Sequence, residues 1–403
     1  MAEVVEDRSI EFLLLHRKDA PLPNLDSLRN VPLTQCHWRD AFQNTQDPLW
    51  RDVWELKTAL SEVSDDTYLS IRNRLFPLAV GGPLASTAFS NRAGHKLLEC
   101  MEAAGVWLYL HGLLRSRGTA SLQEKRKRDE NRKQRGPGRS LVFADVCGGP
   151  GAFSQALLHA GPSRGFPRIR GFGMTLAGVE GLDWYPALLR ADFTPTYGLD
   201  GTGDIYKLAN IYALASISTG TLLCIADGGF HVDFSIANYQ EPISARIVYA
   251  QWFAALKILQ KGGCLVLKLF DATLAFTRSL LFLSTFLYDT VHIVKPKHSR
   301  VVNSERYLVC IDYKGTEDKN GWMAYFKYIL ECGFSDNDHI PELLPEVWMT
   351  SDPCFMQSIT EMVKIISSNQ KMGLKMILDE FKNGMSRAEE STTTPDKEVE
   401  KDD

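Results

Sequence analysis

Leu141-Val-Phe-Ala-Asp145-Val-Cys147-Gly-Gly-Pro-Gly151-Ala-Phe-Ser154 decides the fold. Its first half is a continuous apolar run closed by an acid, as expected of a strand buried on both faces. A glycine turn follows, and then a helix predicted over residues 152–159. Glycines in such a turn permit positive φ and close backbone approach, and the first N–H groups of the helix face whatever binds there. Strand, glycine turn and helix in this order open an α/β domain with a ligand crevice at the strand ends.

The same rhythm continues downstream. Strands are predicted over residues 171–176, 221–227, 264–271, 291–294 and 306–313, with helices over 241–261 and 273–288. Unbroken apolar runs alternating with helices predict a parallel sheet covered on both faces. The last two strands are joined by a loop too short for a parallel crossover, so the last one is predicted to be antiparallel. Upstream, Leu97, Leu98, Met101, Val106 and Leu108 pattern one amphipathic helix over 91–114, with Lys96 in its first turns. The expected fold class is therefore α/β: a mostly parallel sheet with one antiparallel strand and helices on both faces.

Bulk properties narrow the classes. A chain of 403 residues holds one large α/β domain with extensions, and 44% apolar with 23% charged residues is ordinary for a soluble globular protein. A net charge of -4 argues against a wholly basic nucleic-acid binder but leaves room for a local basic groove. The eight cysteines show no CxxC pair and no zinc spacing, so free thiols in a reducing compartment are expected. The first residues lack a secretory pattern, and the most apolar stretch, 279–291, is too short to cross a bilayer. An intracellular, soluble protein with no membrane partner is expected.

The expected organisation is an N-terminal extension over 1–55, a main domain over 56–315, a helical extension over 316–385 and a disordered acidic tail over 386–403. A basic run over 124–139 interrupts the main domain. It reads first as a solvated loop, a reading compatible with an import signal or an RNA-facing flap.

Three residues collect at one sheet edge. Asp227 and Lys268 close predicted parallel strands, and Glu305 opens the antiparallel one, which starts where the others end. Lys96 must be brought there by its helix. Singly, each has an ordinary structural explanation, such as a turn cap or an edge ion pair. Together with the glycine turn, Lys96, Asp227, Lys268 and Glu305 suit methyl transfer to a ribose hydroxyl. That hydroxyl is a poor nucleophile until its proton is accepted, and a lysine can accept it when burial or a second nearby cation lowers its basicity. A nicotinamide enzyme would want a third glycine where Ser154 stands and an acid closing the next strand, and a nucleotide P-loop would want Gly-Lys-Ser/Thr; neither pattern is present.

These segments resemble the FtsJ/RrmJ-type 2′-O-methyltransferases, and within them the cap-specific mRNA (nucleoside-2′-O-)methyltransferase 1 family. The matching strings are Asn91-Arg-Ala-Gly-His-Lys96, Asp145 to Ser154, Gly171-Phe-Gly-Met-Thr-Leu176, Gly203-Asp-Ile205, Ala226-Asp-Gly-Gly-Phe230, Leu267-Lys-Leu-Phe-Asp271 and Lys295-Pro-Lys-His-Ser-Arg-Val-Val-Asn-Ser-Glu-Arg-Tyr307. They cover roughly residues 55–315. The resemblance implies a Rossmann-like, S-adenosyl-L-methionine-dependent fold, with Lys96, Asp227, Lys268 and Glu305 catalytic and Lys268 the proton acceptor. It implies cofactor contacts at Asn91, Cys147, Gly148, Gly149, Pro150, Gly151, Ala152, Phe153, Asp204 and Ile205. Substrate contacts are implied at Asn238 and Glu305, with Lys57 and Arg72 where the family grips the cap.

The implied activity is methylation of the first transcribed nucleotide of m7G-capped mRNA in the nucleus, with RNA polymerase II or the capping machinery as a candidate partner. A cap-2, rRNA or tRNA 2′-O-methyltransferase, and an inactive RNA-binding relative, remain as alternatives. The turn reads Gly-Ala-Phe where relatives often have Gly-Gly-Phe. The chain is expected to be a compact member, without the accessory modules of animal relatives.

Overall fold

The computed structural model describes residues 9–16, 22–28, 34–43, 45, 47–77, 92–126, 140–230, 234–315 and 321–392. Eight strands make the main sheet: β1 (Ile10–His16), β3 (Ser140–Val146), β4 (Arg168–Met174), β5 (Phe193–Thr196), β6 (Leu223–Ala226), β7 (Cys264–Leu269), β8 (Tyr288–Lys295) and β9 (Arg306–Tyr313). Two more, β2 (Gln35–His37) and β10 (His339–Pro341), form a separate ribbon. The helices are α1 (Pro48–Leu60), α2 (Asp65–Leu75), α3 (Ala93–Ala103), α4 (Val106–Arg126), α5 (Ala152–Ala160), α6 (Leu208–Ile217), α7 (Gln240–Ile243), α8 (Ala245–Ile258), α9 (Ala275–Leu287), α10 (Trp322–Tyr328), α11 (Glu346–Thr350) and α12 (Pro353–Thr392).

The sheet order is β1-β8-β9-β7-β6-β3-β4-β5. Strands β3 to β7 pair in parallel, and β9 runs antiparallel between β7 and β8, as the short loop required. From β3 the chain moves outward to β4 and β5, then returns to lay β6 on the other side of β3. That reversal opens the crevice where ligands bind in open α/β sheets.

Side chains of the central strands alternate between two cores. Leu141 and Phe143 of β3 join α3, α4 and α5 on one face, while Ala144 and Val146 join α6, α8 and α9 on the other. Both faces are apolar, which is why these runs carry no polar alternation. A third core clusters Val53, Tyr68 and Ile71 of α1 and α2 with Val302, Leu374 and Ile377, so α12 is mounted against the loop between β8 and β9.

Four local expectations are corrected. The helix predicted over 91–114 is two helices bent by 65° around Ala104-Gly105, where Gly105 takes φ 68. The N-terminal segment is not merely irregular: β1 pairs antiparallel with β8 and adds a second antiparallel strand, while α1 crosses the expected boundary at 55. Short β5 and helix α6 went unread, the first because Phe193-Thr-Pro-Thr196 has little apolar length. Helix α12 runs to Thr392, into the segment expected to be a disordered tail. The basic run over 127–139 and the residues beyond 392 lie outside the described residues.

All eight cysteines are free. Among the described residues no single helix is long and apolar enough to cross a membrane, and no cluster of His, Cys, Asp and Glu could hold a metal ion.

Candidate active site

The strand alternation that builds the cores also gathers the site. Ile225, Val266 and Val309 face the α3–α5 side, so Asp227, Lys268 and Tyr307, each two residues from one of them, face it too. Register does the rest. Val146 is level with Ala226, which sets Cys147 and Asp227 side by side beyond the strand ends, and Lys268 is directly opposite Tyr307. Helix α3 lies on the same face, buries Leu97, Leu98 and Met101, and carries Lys96 to that edge.

The four expected residues meet. Lys96 Nζ lies 2.6 Å from Glu305 Oε1, and Lys268 Nζ lies 3.2 Å from Asp227 Oδ1 while donating to the Asp227 carbonyl at 2.5 Å. Tyr307 joins the two pairs: its hydroxyl is 2.9 Å from Asp227 Oδ1 and 3.0 Å from Glu305 Oε1. A phenol has one hydrogen to donate, so it serves one carboxylate at a time. Burial would raise the Glu305 pKa, but Lys96 and then Lys268 outweigh it and hold the carboxyl below its ordinary range.

Sequence reasoning missed Tyr307, although it ends a quoted string. Two other buried charges beside it had also gone without a role. Lys295 donates to Asn303 O, Asn303 Oδ1 and Glu305 O at 2.7, 2.8 and 2.7 Å, pinning the loop that presents Glu305. Its pKa is driven well down by burial, against the pull of Glu305. Arg306, fully buried, pairs with Asp271 at 2.9 Å and donates to Ser304 O at 3.0 Å. Buried cations held by several oxygens fix geometry, and here they fix the backbone on either side of Glu305.

The glycine turn is as tight as its composition suggests. Cys147 takes φ 56 and Gly151 φ 106, and the Gly149–Pro150 peptide is cis. A methyl on Gly148 would lie 2.2 Å from the Asp145 carboxyl carbon, and one on Gly149 would lie 2.4 Å from Leu182 O. Ala152 and Phe153 start α5 and are buried, so the Ala152 methyl lies inside.

Asp145 accepts from Ser154 Oγ at 2.6 Å through Oδ2, while its buried Oδ1 has no partner. Burial pushes its pKa up to about 7. An orphaned buried oxygen beneath a turn that only glycine fits suits a ligand carrying a cationic amine. Across the crevice Asp204 is half-buried, accepts from Tyr206 N through Oδ1 and adjoins buried Ile205; Asn210 ties its loop by donating to Asp204 O at 3.0 Å. The turn and the orphaned Asp145 oxygen fit the cationic amino-acid end of an adenosyl amino acid.

Other expected residues are placed as follows. Asn91 lies outside the described residues. Asn238 donates to Thr58 Oγ1 at 3.0 Å and Trp54 O at 3.3 Å, bringing the loop after β6 against α1. Lys57 of α1 is there as well, its pKa lowered by burial while Asp271 and Glu241 oppose the shift. Arg72 stands at the far end of α2, beside Asn73 and over the Tyr68 ring.

An open α/β sheet with a glycine turn at its switch point, and two lysine–carboxylate pairs beside that turn, defines an S-adenosylmethionine-dependent methyltransferase. Residues 89–313 match the family described as FtsJ-like methyltransferase, and the chain belongs to it. It is 50% identical over 402 residues to the cap-specific mRNA (nucleoside-2′-O-)-methyltransferase 1 of Leishmania braziliensis, spanning 99% of this chain and 96% of that one. Identity to the protein of the same name from Trypanosoma cruzi is 49%, over 94% of this chain and 98% of that one. The Drosophila melanogaster protein of that name is 32% identical over 60% of this chain but only 31% of its own length.

Proposed function

We propose that the protein transfers a methyl group from S-adenosylmethionine to the ribose 2′-hydroxyl of the first transcribed nucleotide of m7G-capped mRNA, converting cap 0 to cap 1. The observation that carries this reading is the row Lys96–Glu305–Tyr307–Asp227–Lys268 beside the glycine turn. The near full-length likeness to curated cap-specific enzymes supports the choice of substrate.

When bound, S-adenosylmethionine supplies an electrophilic methyl group on a sulfonium. Cys147 to Phe153, Asp145 and the Asp204–Ile205 loop would hold it. Lys268 must first give up a proton to solvent; the neutral amine then accepts the proton of the 2′-hydroxyl as its oxygen takes the methyl. Asp227 orients Lys268, and Lys96 with Glu305 positions the sugar oxygen. Most of the rate then comes from alignment and proton acceptance, because the donor carries its own leaving group. Lys57 of α1 and Asn238, which bonds to the same helix at Trp54 and Thr58, are the residues we assign to the cap.

Methylation of one RNA sequence is compared with and without the m7G cap, and the product nucleotide is mapped by mass spectrometry. Cap-dependent methylation at the first nucleotide is expected. Equal rates on the two RNAs, or methylation elsewhere, would remove the cap assignment and leave an rRNA-, tRNA- or cap-2-type enzyme.

A further inference from the structure

Beside the tetrad stands a second group of cations: Arg72, expected from the resemblance to lie near the cap, and Arg92 and Arg300, which have been given no task. Arg72 lies in the last turn of α2, Arg92 just before α3, and Arg300 in the loop between β8 and β9. Arg72 and Arg300 both donate through Nη2 to Asn73 Oδ1, at 3.2 and 2.8 Å, so two guanidinium groups share one neutral acceptor. Their Nε atoms are buried and have no hydrogen-bond partner. Among the described residues no carboxylate pairs with Arg72, Arg92 or Arg300. Arg74 on the same helix differs, pairing with Glu380 at 2.8 Å.

Such a grouping is unfavourable without an anion. Burial first, then Arg92 and Arg72, lower the Arg300 pKa to about 10. The fold nevertheless holds the cluster together. Tyr68 and Ile71 of α2 pack with Val302 and the α12 residues Leu374 and Ile377, and Gln370 donates to Val302 O at 3.1 Å. Helix α12 thereby clamps α2 to the loop that carries Arg300.

The cluster also lies next to the reacting centre. Lys96 N donates to Arg92 O, one helical turn or roughly 5.4 Å along α3. Ser299, the neighbour of Arg300, donates through Oγ to Glu305 O at 3.1 Å. The phosphates flanking a ribose are only a few bonds from its 2′-oxygen, and guanidinium forks match phosphate oxygens in pairs.

We propose that Arg72, Arg92 and Arg300 form a phosphate clamp that seats the RNA backbone next to the methylated ribose. This rests on the 2′-O-methyltransferase reading above and assigns how its substrate is registered. Asn73 holds the two inner guanidinium groups in the free protein and gives them up, wholly or in part, to phosphate.

The test measures binding of a short m7G-capped RNA by fluorescence anisotropy at several salt concentrations, for the wild type and for Arg300→Gln, Arg72→Gln and Arg300→Lys. Calorimetric titration with S-adenosylhomocysteine confirms that each variant is folded. Arg300→Gln is expected to weaken RNA binding about tenfold. It should also flatten the slope of log affinity against log salt by about 0.7. The lysine variant should restore the slope but not the full affinity.

Two shorter probes locate the phosphate. Loss on m7GpppG points to the triphosphate bridge, and loss on a 5′-hydroxyl oligonucleotide points to the phosphodiester beyond the first nucleotide. Unchanged affinity and slope in Arg300→Gln and Arg72→Gln on all three probes would overturn the clamp. That result is independent of the cap assignment, which falls if the wild type methylates capped and uncapped RNA alike or methylates a nucleotide other than the first.

Discussion

Lys96 Nζ lies 2.6 Å from Glu305 Oε1, joining a helix that precedes the first parallel strand to the loop that opens an antiparallel one. With Lys96 and Lys268 holding Glu305 below its ordinary range, this carboxyl stays ionised to lower pH than a free glutamate would. The ion pair is therefore lost only as pH falls through that lowered value. Glu305→Gln should lower kcat across the whole profile without changing its shape between pH 5 and 7. An acid limb present in the wild type and absent from the variant would contradict this.

Lys268→Ala removes the proposed proton acceptor while leaving the glycine turn untouched. Methyl transfer should fall by about 10²- to 10⁴-fold, the usual span for a general base. Calorimetry should show S-adenosylmethionine binding near the wild-type affinity. Appreciable turnover by this variant would remove Lys268 from its role.

Tyr307→Phe tests whether the two ion pairs act as one unit. The ring stays buried, so the fold should survive with a cost of about 1 kcal/mol for the lost hydrogen bond. Positioning of Asp227 and Glu305 is what suffers. We expect kcat down by about tenfold, an effect near 1.4 kcal/mol, with KM for capped RNA little changed. A rise in KM alone would mean that the hydroxyl serves substrate binding instead.

Gly229 offers a near-silent structural change with a catalytic effect. A methyl there would come 3.0 Å from Lys268 Nζ and 3.2 Å from its Cε, the far end of a flexible side chain. Gly229→Ala should leave the thermal midpoint within a few degrees of wild type while displacing the amine by a few tenths of an ångström. Misalignment on that scale still costs rate, so methyl transfer should drop by about tenfold or more. Full activity would show that Lys268 has freedom to spare.

Asp145 makes the ligand-free protein sensitive to pH. Burial is the main cause that pushes its carboxyl up to about 7 from an ordinary 3.8, the Ser154 hydrogen bond opposing and Asp227 assisting. Between those values the folded protein keeps a proton that the unfolded chain has released. The contribution is therefore complete below about 3.8 and lost as pH rises through about 7, at roughly 1.4 kcal/mol per pH unit. Asp145→Asn keeps the Ser154 contact without the ionisation. Its urea midpoint should gain on wild type as pH rises from 5 to 8, and parallel curves would sink the assignment.

Much of this site was legible because its parts are local. The run Leu141 to Ser154 dictates strand, turn and helix through apolar burial and glycine sterics, and Asp227 and Lys268 announce themselves as polar ends of apolar runs. The alternation of side chains along a strand then commits them to one face. Family strings supplied the role of Lys96, which no spacing could place.

The remainder depended on contacts between distant segments. Tyr307 reads in the chain as one more buried strand residue; only its register opposite Lys268 makes it a bridge between two carboxylates. Lys295 and Arg306 look like surface charges until their loops close around them and supply oxygen partners. Strand β1 and the meeting of Arg72 with Arg300 were equally hidden, since edge pairing and the clamp of α12 join residues far apart in sequence. Local chemistry settles which segments form strands, helices and turns, because steric limits and apolar burial act within a few residues. Tertiary packing settles which charges face one another, because electrostatic partners are chosen by distance in space.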